Sequence, residues 1–129
     1  MKFNLFVFLC SLFIVGCSTS KGTGPSASAA TFDQTYGYDQ KNPIKVGGFE
    51  NGPANERDYL NSLTGPNGEP VTYNRTGSCC QFKTSKSPYG MGMLDKYRVT
   101  YEGKKDTVVL YINMYDKATL RAPTGFLMK

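Results

Sequence analysis

The sequence predicts an α+β fold: a small antiparallel sheet of four or five strands with one helix packed on one face. Three observations carry that expectation. The C-terminal half alternates apolar and polar residues with a period of two over several segments. A helical spacing occurs once, ahead of them. All of it lies within residues 32–129, a length that supports one domain with a modest core.

The elements follow in chain order. Residues 42–49, "NPIKVGGF", suit a short strand that runs into glycines. Residues 51–68, "NGPANERDYLNSLTGPNG", hold the helix. Asn51 or Gly52 can cap it, and Pro53 fits a first turn whose N–H has no partner in any case. Tyr59, Leu60 and Leu63 make its apolar face, and Gly65-Pro66 ends it. Val71 and Tyr73 mark the next strand. In "LDKYRVTYEG", Tyr97, Val99 and Tyr101 share one face, and Lys96, Arg98 and Thr100 the other. "DTVVLYINMY" is apolar or aromatic on both faces, which predicts a central strand. "EGKKD", 102–106, has hairpin length between these two. "ATLRAPTGF", 118–126, is expected to add an edge strand.

The N-terminus sets an expected compartment. Lys2 is followed by "LFVFLCSLFIV", Leu5 to Val15, an apolar run shorter than the ~20 residues of a spanning helix. It reads as a signal peptide over residues 1–16. The segment ends Ile14-Val15-Gly16-Cys17, which resembles the lipobox of bacterial lipoproteins, with Val15 a mild departure from the usual Ala or Ser. That resemblance implies lipidation at Cys17 and stable anchoring by more than one acyl chain. Ser18 after it, in place of the Asp that retains lipoproteins in the inner membrane, implies the outer membrane. Residues 17–31 contain "STSKGTGPSASAAT", the composition of a flexible tether.

Losing Lys2 with the signal takes the net charge from +5 to +4. The lysines are scattered, with no basic run, so nucleic acid is not an expected partner. The available anions in the envelope are lipid phosphates, lipopolysaccharide and peptidoglycan carboxylates.

Four cysteines shrink to two in the folded body, Cys79 and Cys80, once Cys10 leaves with the signal and Cys17 carries lipid. An oxidising compartment gives adjacent thiols four fates: a vicinal disulfide, a soft-metal site, an intermolecular bridge, or inert packing. Adjacent Cα atoms sit only ~3.8 Å apart, below the usual disulfide span. In an extended strand the two side chains point apart, while a bend at Gly77-Ser78 relaxes the geometry. Met91 and Met93 would favour Cu(I) beside thiolates. The chain has no histidine and no C-x-x-C, so no metal or cofactor is expected, and cysteine catalysis lacks its usual base.

A second candidate is the helix start, where Asn51, Gly52, Asn55 and Arg57 form a polar, anion-competent cluster. Its plainer reading is a capped helix in a tight turn. Glu50 and Glu56 are the nearest approach to paired carboxylates. The nine tyrosines suit either a carbohydrate face or sheet packing.

"NPIKVGGFENGPANERDYLNSLTGPNG", "GSCCQFKT" and "LYINMYD…PTGF" together resemble a group of short uncharacterised bacterial lipoproteins, some bearing a transferred 2-dehydro-3-deoxyphosphooctonate aldolase name. That synthase is a (β/α)₈ barrel of ~200 residues or more, which a body of 32–129 cannot build. The resemblance implies no catalytic residues. The expected function is a non-enzymatic, membrane-anchored binding module for an envelope protein or glycan. The alternatives are a small thiol/redox or hydrolytic envelope enzyme, or an inhibitor of the immunity type.

Overall fold

The computed structural model describes residues 32–129. The signal segment, Cys17 and the tether lie outside the described residues. No helix among the described residues is long and apolar enough to cross a membrane.

The fold is α+β. Its main sheet joins β1 (Ile44–Lys45), β5 (Val108–Asn113), β4 (Met91–Tyr101) and β3 (Val71–Lys83), in that spatial order. A turn of 3-10 helix at Phe49–Asn51 leads into α1 (Gly52–Ser62), and β2 (Leu63–Thr64) pairs with β6 (Leu127–Met128) as a second, two-stranded sheet. β5 is central, as its two apolar faces require. It pairs antiparallel with β4 and, on its other side, parallel with β1. The main sheet is therefore mixed, where period-two patterning predicted only antiparallel pairing. A two-residue strand is too short for its direction to be read from alternation.

The core lies between α1 and the sheet. Ile44, Leu60, Leu63, Val99, Leu110 and Ile112 are fully buried, each contributing roughly 1.5–3 kcal/mol of side-chain burial. Helix α1 turns Gly52, Glu56, Tyr59 and Leu60 inward at the i, i+4, i+7, i+8 spacing of one face. Gly52 is needed at its start, because a Cβ there would stand 2.8 Å from Cβ of Met114. The helix stops at Ser62, before the expected Gly65-Pro66. Leu63 turns extended and pairs with Met128, while Ser62 accepts the Lys129 N–H at 2.9 Å.

The expected edge strand at 118–126 does not form. A bridge from Val46 to Lys117 precedes this segment, and its fully buried Pro123 has no N–H to give a ladder. Tyrosine hydroxyls hold the segment instead. Tyr59 donates to the Arg121 carbonyl at 2.7 Å, Tyr38 to the Thr124 carbonyl at 2.6 Å, and the Arg121 guanidinium lies 4.5 Å from the Tyr36 ring centroid. Several of the nine tyrosines thus serve the core and its seams.

Candidate functional site

Strand β3 runs straight through "TGSCC", and its ladder with β4 slips twice, between Arg75 and Gly77 and between Cys79 and Phe82. Gly77 takes φ +132°, which glycine adopts without strain, and its missing side chain would have met nothing. Cys80 takes φ +60°, the one non-glycine residue with positive φ among the described residues. This left-handed turn brings the two sulfurs together. Cys79 and Cys80 are joined by a disulfide, with Cα atoms 3.7 Å apart. The side chains do not diverge as they would on a regular strand, because the bulge removes the alternation. Both sulfurs are consumed by the bridge. Met91 and Met93 open β4, Met91 half-buried and Met93 exposed. Among the described residues no group of three or more His, Cys, Asp or Glu could hold a metal ion.

The helix-start cluster is split. Gly52 is buried against Met114. Asn55 spends its side-chain N–H on the Gly47 carbonyl at 2.8 Å. Asn51 makes no side-chain cap and lines a groove with Gly48, Glu50 and Lys86. Arg57 lines another cleft, together with Pro53 and Glu56. The expected four-residue anion site is not assembled.

That other cleft, of about 560 Å³, lies between α1 and strands β3 and β4. It holds the strongest polar constellation in the described residues. Ser78 stands opposite Asp95 in the β3–β4 ladder, and Arg75 opposite Tyr97. Arg75 grips Asp95 with two bonds, Nε to Oδ2 at 3.1 Å and Nη2 to Oδ1 at 2.8 Å. Its Nη2 also donates to Ser78 Oγ at 2.6 Å, and Ser78 in turn donates to Asp95 Oδ1 at 2.6 Å. From the helix comes Glu56, fully buried, whose Oε2 accepts the Tyr97 hydroxyl at 2.8 Å. Its Oε1 has no donor among the described residues.

Glu56 and Asp95 line the same cleft, and their surroundings push their proton affinities in opposite directions. Burial lifts Glu56 to about 7, helped by the negative charge of Asp95 and opposed by the Tyr97 hydroxyl. Burial also pushes Asp95 upward, but Arg75 and Ser78 outweigh it and hold Asp95 below its ordinary value. A proton on Glu56 lowers the cost of burying the orphaned Oε1. Burial raises Tyr97 too, and its bond to Glu56 adds to that. The acid partner of Glu56 is therefore Asp95. Glu50 lies exposed in the other groove. One sequence signal pointed this way: Asp95 shares strand parity with Tyr97 and Val99, so a charge sits in phase with the buried face.

Aromatic rings wall the cleft. Tyr73 meets Tyr97 edge-on at 6.0 Å, and its hydroxyl donates to Asn61 at 2.9 Å. Tyr115 stacks on Phe49 at 5.2 Å and meets Phe82 edge-on at 5.8 Å. Arg57 and Met93 complete the rim.

No family model, curated protein or solved structure matches the chain.

Proposed function

We propose that the chain is a lipid-anchored cell-envelope protein, one of the short bacterial lipoproteins it resembles, and that its folded domain is a binding module for an envelope glycan. On this reading Cys17 carries the lipid, residues 18–31 are the tether, and the domain faces the periplasm from the outer membrane. The observation that supports the binding role is the α1–β3–β4 cleft. It combines Tyr73, Tyr97 and Tyr115 with fixed polar groups at Arg75, Ser78 and Asp95. Aromatic walls with a few oriented donors and acceptors suit a hydroxyl-rich ring.

The same geometry speaks against hydrolysis in the cleft. Arg75 and Ser78 bind both oxygens of Asp95 and hold it below its ordinary value, which makes it a weak base toward water. Glu56 is turned inward toward Tyr97 and Asp95. A redox role has one favourable feature, the half-buried disulfide on edge strand β3.

Sedimentation of the full-length protein with purified insoluble envelope glycan tests the proposal. The parent is expected to co-sediment, and Tyr73→Ala to lose most of that binding. Equal sedimentation of parent and variant would refute the cleft as the binding face. The anchor has its own test: Cys17→Ala is expected to move the protein from the membrane to the soluble fraction.

A further inference from the structure

A second cleft opens beside the disulfide, away from the carboxyl pair. It has a volume of about 570 Å³. Lys41, Lys45 and Lys83 reach it from the turn before β1, from β1 itself and from the end of β3. None of the three is in an ion pair among the described residues. One acid, Asp116, shares the cleft, and its oxygens are already engaged by Thr84 at 2.7 Å and by Asn113 at 3.0 Å. Three lysines against one aspartate give the residues that line this concave site a net charge of two positive units. Cys80, Phe82 and Leu94 line it with apolar surface. The disulfide ring offers polarisable sulfur and no donor. Phe82 is held in place by the Tyr115 ring.

We propose that this cleft is a binding site for a phosphate monoester carried on a sugar ring. The phosphate sits among Lys41, Lys45 and Lys83, and the carbon face of the ring lies on Cys80 and Phe82. The charges match, since a monoester carries about −1.5 to −2 at neutral pH. Lysine binds phosphate as a point charge, so three flexible ammoniums need no fixed fork. The bulge is what places Cys80 in this cleft. On a regular strand that side chain would sit on the face opposite Cys79.

The test is an amide-resolved NMR titration of the full-length protein in detergent micelles with glucose 6-phosphate, glucose and inorganic phosphate. Glucose 6-phosphate is expected to shift Cys80 to Lys83 saturably and to leave Tyr73 and Asp95 unmoved. Replacing all three lysines with glutamine, at exposed or half-buried positions, weakens it about tenfold. Inorganic phosphate binds more weakly because it leaves the apolar floor empty, and glucose does not bind. Absence of saturable shifts at Cys80 to Lys83, or unchanged affinity in the triple variant, would overturn the site. Equal affinity for inorganic phosphate would overturn the role of the disulfide floor. Vesicles of anionic phospholipid distinguish a membrane source: shifts at Cys80 to Lys83 with vesicles and none with the sugar phosphate would overturn the sugar assignment. The glycan cleft is read at other residues, so either site can fail without the other.

Discussion

Replacing Glu56 with glutamine removes one ionisation and little else. Glutamine has nearly the same shape and can still accept from Tyr97. The folded chain holds the Glu56 proton up to about pH 7, whereas the ordinary glutamate value is 4.5. Between those values the folded state binds more protons than the unfolded state, so stability falls as pH rises. Below 4.5 the group contributes nothing to that slope, and above about 7 its whole penalty is present. The gap corresponds to about 3 kcal/mol, and water at the cleft mouth trims it to about 2. Asp95 works in the opposite direction. Its folded value is depressed, so the stability it contributes is present above its ordinary value of 3.8 and is lost only as pH falls further. The two windows do not overlap. Urea unfolding of parent and Glu56→Gln, followed by circular dichroism without reductant at about pH 5 and about pH 8, brackets the Glu56 window. The parent is expected to lose about 2 kcal/mol between those conditions, and Glu56→Gln to be flatter and more stable than the parent at the higher pH. A parent whose stability is constant across that range, or a glutamine variant weaker than the parent at about pH 8, would refute the reasoning.

Other outcomes follow from named contacts. Arg75→Met strands the Asp95 carboxylate in the cleft wall and is expected to cost about 2 kcal/mol in urea unfolding, with Asp95→Asn restoring part of the loss in the double variant. Tyr59→Phe removes the hydroxyl that holds the Arg121 carbonyl and should lower stability by about 1 kcal/mol, read as a drop in Tm. Gly92→Ala places a Cβ 2.8 Å from the Tyr115 ring and should cost about 1–3 kcal/mol by the same measurement. Alkylation of the denatured, unreduced chain should leave Cys79 and Cys80 unlabelled, and prior reduction should expose both; labelling without reductant would contradict the bridge.

The parts of the fold that could be read in advance are those governed by a regular period. Tyr97 and Val99 on β4, and Leu110 and Ile112 on β5, are buried because alternation places them inward. Tyr59 and Leu60 follow from helical spacing in the same way. What escaped reading depends on partners remote in the chain. The direction of β1 is set by Ile112 and Asn113, which its two residues cannot announce. Leu63 leaves the helix because Met128 is there to pair with it. The 118–126 segment resembles a strand, but tyrosine hydroxyls from Tyr38 and Tyr59 take its carbonyls.

The candidate sites divide along the same line. The adjacency of Cys79 and Cys80 was visible, while the left-handed turn at Cys80 that joins their sulfurs was not, because period-two reasoning fails at a bulge. Asn51, Gly52, Asn55 and Arg57 are close in sequence but diverge around the helix start. Glu56 and Asp95 are distant in sequence and reach one cleft only when α1 packs on β4. The carboxyl pair therefore belongs to tertiary structure, and the out-of-place charge at Asp95 was its one local trace.

The α1–β3–β4 cleft is the proposed glycan-binding face. Amide-resolved NMR of the full-length protein in detergent micelles, titrated with soluble fragments of the envelope glycan, tests it most directly. Saturable shifts are expected at Arg57, Tyr73, Ser78 and Asp95, abolished in Tyr73→Ala. Shifts confined to other surfaces, or none at saturating fragment, would contradict it.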